Sequence, residues 1–69
     1  MKNNNVIITA DITRITTDYA KKMNITEDEA MIQFLGSATY RALIDKETGL
    51  CYEMYEAIYE MFLKEMQVQ

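Results

Sequence analysis

The sequence predicts an all-α protein, a compact bundle of three to four helices, on three observations. Apolar residues recur at helical spacing in the first and last parts of the chain, and a capping box opens a helix at Thr26. Punctuation is sparse, with no proline and only two glycines, Gly36 and Gly49. The expected helices run over about 5–23, 26–35, 37–46 and 52–67, in a single helical domain over 1–69 with residues 1–4 disordered.

In the first helix, Ile8, Ile12, Ile15 and Tyr19 fall on one face, with Thr9, Thr13, Thr16 and Thr17 opposing them. Val6, Ile8, Ala10 and Ile12 also alternate as a strand would, but that alternation fails at Arg14–Ile15 whereas the helical stripe continues to Tyr19. Asn24 ends the segment. In the second helix the Thr26 hydroxyl is placed to accept from the Glu29 amide and the Glu29 carboxylate to reach back. Three acids, Glu27, Asp28 and Glu29, suit the helix dipole there, and Ala30, Met31, Phe34 and Leu35 are expected inward.

Gly36 permits a break, Ser37 caps a short third helix carrying Tyr40, Leu43 and Ile44, and Gly49 supplies the turn beyond it. The last helix has the strongest pattern. Tyr55, Ile58, Tyr59, Phe62 and Met66 make one stripe and Glu53, Glu56, Glu60 and Lys64 another. Tyr52, Met54, Met61 and Leu63 widen the apolar sector beyond the needs of a surface helix, so part of it is expected to contact another chain.

Size supports the same expectation. A chain of 69 residues, 49% hydrophobic, has more apolar surface than one small core hides easily. One cysteine, Cys51, allows no internal disulfide, and with no histidine the usual zinc sites are excluded. Helix packing and a homodimer burying part of the last helix remain as sources of stability. No apolar run is long enough for a membrane span or reads as a signal peptide, and a lone thiol suits a reducing compartment, so a cytoplasmic location is expected.

No residue is nominated as catalytic, metal-ligating or cofactor-binding, and the chain is not expected to be an enzyme. Cys51 has no histidine to activate it and reads as a small buried residue. Asp45, Glu47 and Glu53 read as solvated residues around a helix end, and Asp-Lys-Glu-Thr-Gly lacks the ligand spacing of a calcium loop.

The net charge of −4 is unevenly distributed. Through residue 22, Lys2, Arg14, Lys21 and Lys22 face Asp11 and Asp18, a balance of +2; the remainder carries −6. Nucleic-acid binding is disfavoured by the acidic majority, and a regulator using Arg14, Lys21 and Lys22 stands only as the alternative. The leading expectation is a small protein–protein interaction module. Its candidate interface comprises Tyr52, Tyr55, Tyr59, Phe62 and Met66, with Glu53, Glu56 and Glu60 favouring a basic target.

Residues 37–50, with Ser37, Tyr40, Leu43 and Asp45 followed by Thr48-Gly49-Leu50 and a tyrosine-bearing helix, resemble a family of short uncharacterised bacterial proteins. The resemblance spans about residues 8–65. It departs from the family's pattern at Ile44 before Asp45 and at Cys51, where an aromatic is common. It implies a helical fold and no activity to carry over. Similar genes lying beside those for ADP-ribosyltransferase-like proteins imply an antitoxin-like or adaptor role toward another protein.

Overall fold

A computed structural model describes residues 4–68, so the expectation of disorder lies, for residues 1–3, outside the described residues. The fold is all-α, with four helices: α1 (Asn4–Met23), α2 (Glu27–Leu35), α3 (Ala38–Ile44) and α4 (Tyr55–Glu65). Two 3-10 turns, Lys46–Thr48 and Leu50–Tyr52, join α3 to α4, and no strand occurs among the described residues.

Local chemistry sets most helix ends. After α1, Asn24 takes the left-handed conformation at φ 59°, and the Ile25 amide donates 3.0 Å to the Ala20 carbonyl. This is a Schellman closure with asparagine where glycine is commoner. The capping box is formed: the Glu29 amide donates to the Thr26 hydroxyl at 3.1 Å, and the Thr26 amide donates to the Glu29 carboxylate at 3.2 Å. The Ser37 hydroxyl accepts from the Tyr40 amide at 3.1 Å and opens α3. The break before it belongs to Ser37, whose backbone is extended, because Gly36 sits at an ordinary φ of −90°.

Helices three and four are shorter than their expected 37–46 and 52–67 spans. At Asp45 the backbone turns extended, and its carboxylate accepts from the Glu47 amide to start the first 3-10 turn. The Thr48 hydroxyl donates to the Ala42 and Asp45 carbonyls, and Gly49 follows at φ 70°. That reversal carries Cys51 into the core, and the chain stays extended through Glu53 and Met54 before α4 begins. Tyr52 therefore belongs to a turn, a correction to the expected helix start: helical periodicity at 52 yields to the path Gly49 imposes.

The core is Ile15, Tyr19, Ala20, Ala30, Phe34, Leu43, Cys51, Ile58 and Phe62. Its aromatic rings form an edge-to-face chain, Tyr19 to Phe62 at 4.8 Å, Phe62 to Phe34 at 5.0 Å and Phe34 to Tyr40 at 5.7 Å, tying all four helices together. Two expectations change here. Thr16, placed on the outer face by the stripe, is buried; its hydroxyl donates back to Ile12 and Thr13 carbonyls at 2.9 and 3.0 Å, which removes the penalty of burying it. Leu35, expected inward, is substantially exposed because α2 stops at Gly36, before another helix covers that side.

One clasp crosses the bundle. The Glu65 carboxylate, at the end of α4, accepts from the Ala38 amide at 2.7 Å, the Thr39 amide at 2.9 Å and the Thr39 hydroxyl at 2.7 Å. Burial pushes the Glu65 carboxyl up, but these three donors and Arg41 outweigh it and hold it below the usual carboxylate range.

Candidate functional site

The eight residues expected at an interface divide into three groups. Phe62 is fully buried at the centre of the aromatic chain, so it holds the fold and is not offered to a partner, which corrects its place in the set. The 3.6-residue stripe that nominated it is the side of α4 turned to α1–α3.

Tyr55, Tyr59 and Met66 are half-buried. The two tyrosine rings stack at 5.6 Å and 12°, and the Arg14 guanidinium lies 3.9 Å above the Tyr55 ring. The Tyr55 hydroxyl donates to the Asp18 carboxylate at 2.5 Å. Burial first, and then the hydrogen bond and charge of Asp18, push the Tyr55 hydroxyl well above the usual phenol range, with Arg14 opposing; burial and Asp18 raise Tyr59 as well. These side chains join α1 to α4. Met66 ends α4, and beyond it Gln67 takes φ 62° while the Val68 amide donates to the Leu63 carbonyl at 2.8 Å, a second Schellman closure.

Tyr52, Glu53, Glu56 and Glu60 are exposed. Met54, outside the candidate set, joins them: Tyr52 at the end of the second 3-10 turn and Met54 on the extended approach to α4 are each 69% exposed. Together with exposed Met61 they interleave apolar and acidic side chains over ten residues. The strip begins in the second 3-10 turn, passes through extended Glu53 and Met54 and continues on α4, so Tyr52 and Met54, expected as part of a widened helical sector, reach the surface ahead of the helix.

The three basic residues of the alternative reading all lie on α1. Arg14 is committed to the Tyr55 ring, with Asp18 beside it, while exposed Lys21 and Lys22 stand in the last turn of α1. No group of three or more His, Cys, Asp or Glu among the described residues has the arrangement to hold a metal ion. Nor is any helix among them long and apolar enough to cross a membrane.

Two hollows mark the surface. The larger, about 420 Å³, lies at the α4 terminus among Glu60, Leu63, Lys64, Gln67 and Val68, and its charged walls suit solvent. The smaller, about 260 Å³, is apolar. Ile8 and Ile12 of α1 face Tyr40, Leu43 and Ile44 of α3 across it, Cys51 closes its floor, and Thr9 and Lys46 stand among its walls. Ile44 is 48% exposed there. Among the described residues no carboxylate lines this groove, although acids outnumber bases in the chain.

Compared with known proteins, the chain matches no family model and shows no significant match to a curated protein or a solved structure.

Proposed function

We propose that this protein is an interaction module, an antitoxin-like or adaptor partner that acts by covering a basic surface of another protein. The observation that carries the reading is the strip from Tyr52 to Met61, where exposed Tyr52, Met54 and Met61 alternate with exposed Glu53, Glu56 and Glu60. Large exposed apolar side chains supply contact energy, and surrounding carboxylates select a cationic target and steer its approach. The strip runs from the turn before α4 onto a helix anchored by Ile58 and Phe62, so its outer side chains can be covered without disturbing the core. The nucleic-acid reading has the weaker support, since Arg14 is already engaged within the fold.

The test is affinity capture from native cells at normal abundance, followed by mass determination of the intact complex. One foreign protein is expected in fixed ratio, released by raised salt and lost with the double variant Glu56→Lys, Glu60→Lys. Recovery of no partner, or retention indifferent to both changes, would overturn the proposal.

A further inference from the structure

The groove between α1 and α3 and the apolar strip before α4 are complementary to each other. Among the described residues the groove's lining is mainly apolar, with Lys46 as its one charged residue and no carboxylate. Asp45 and Glu47 flank Lys46 in sequence but line none of it, and the Asp45 carboxylate is turned to the Glu47 amide. The strip offers Met54 with Glu53 beside it and Glu56 two residues on. They are also adjacent: Cys51 lines the groove, and Met54 lies three residues further along, past the end of the 3-10 turn at Tyr52.

That adjacency decides the symmetry. A groove and a projection placed side by side on one subunit can each engage the other's counterpart across a two-fold axis, closing the assembly at two copies. Resting on the interaction-module reading, we infer that the groove receives Met54 of a second copy, reciprocally, with Lys46 facing the partner copy's Glu53. A stable dimer removes about 800 Å² per subunit, roughly a sixth of this chain's 4704 Å² surface. Two side chains do not supply that much. The contact therefore spreads from the groove along the 37 Å length of the molecule, since its 19 Å ends are too narrow. Exposed Ile44 lies at the groove and is covered in the process. The outer carboxylates Glu56 and Glu60 on α4 remain for a foreign protein.

Sedimentation equilibrium on the full chain reads the result directly. The wild type is expected at twice its 8.1 kDa chain mass. Met54→Asp and Ile44→Asp, both at exposed positions, are each expected to weaken association at least tenfold while far-UV circular dichroism stays unchanged. Lys46→Glu weakens it as well, and adding Glu53→Lys to the same chain restores it. Mixing the Met54→Asp and Ile44→Asp proteins re-creates one intact groove contact and recovers part of the association. A wild-type mass of one chain, as a foreign helix or an apolar ligand in the groove would leave it, overturns the inference; so does a dimer indifferent to all three single changes. A monomer that still captures its foreign partner through Glu56 and Glu60 overturns the dimer alone, whereas a dimer that captures nothing overturns only the proposed function.

Discussion

Replacing Glu65 with alanine removes one acceptor and strands three donors at the start of α3. The Ala38 amide is exposed and rehydrates at little cost. Thr39 is 1% exposed, so its hydroxyl and amide lose their partner where water enters with difficulty. Leaving a buried donor unpaired costs about 1–3 kcal/mol, and losing a helix cap about 1 kcal/mol. Glu65 is itself largely in solvent, which discounts its charge, and a total near 2 kcal/mol follows for Glu65→Ala. A domain of this size has only about 3–5 kcal/mol to lose, so the melting temperature is expected to fall by on the order of 10 °C. Urea unfolding followed by circular dichroism measures it, with Glu60→Ala on the same helix as control. Combining Glu65→Ala with Thr39→Val isolates the coupling, because removing both partners costs less than the two single losses together. A change below about 0.5 kcal/mol for Glu65→Ala would refute the clasp. Its pH signature has a definite sign. The folded-state value lies below the ordinary 4.5, so the contribution is present above pH 4.5 and is lost as pH falls through the lower, folded value. Asp11, raised by burial against the opposing charge of Arg14, works the other way, so the wild type must be read against Glu65→Gln.

Four further outcomes follow from the same geometry. Gly36→Ala is expected to stabilise by about 0.4–1 kcal/mol through the unfolded chain, since φ is −90° and an added Cβ meets the Ile32 carbonyl oxygen at an ordinary 3.6 Å. Gly49→Ala, at φ 70°, is expected to destabilise by about 1 kcal/mol or more, and paired chemical denaturation checks both. Gln67→Gly should raise the melting temperature by relieving a left-handed side-chain-bearing residue; an unchanged or lower value contradicts the second Schellman closure. Because the folded state holds the Tyr55 proton more tightly than the unfolded one, the stability contributed by Tyr55 is steady below pH 10 and falls as pH rises beyond it. Tyr55→Phe should flatten part of that alkaline loss in a titration of unfolding free energy.

The features legible in the sequence are those whose partners lie within a turn or two. Thr26 and Glu29 find each other at a separation of three, and Ser37 meets Tyr40 in the same way. The inward faces of α1 and α4 followed from spacing because Ile15, Tyr19, Ile58 and Phe62 are all buried. Periodicity failed where the backbone stopped being helical. It extended the last helix over 52–54, where Gly49 and two 3-10 turns redirect the chain, and so placed Tyr52 and Met54 on a helix they precede. It also could not divide the tyrosines, since Tyr55 and Tyr59 are half-buried by partners on α1 and Tyr52 is left outside.

By itself the sequence determined an all-helical chain, the caps at Thr26 and Ser37, the turn at Gly49 and the inward stripes of α1 and α4, because these depend on residues close together along the backbone. Tertiary structure decided the rest. Glu65 reaches Thr39 across 26 residues and Tyr55 reaches Asp18 across 37, and the apolar groove exists only because α1 and α3 stand beside Cys51. Such meetings depend on how whole helices pack, since a side chain's local spacing says which way it points but not what it will touch.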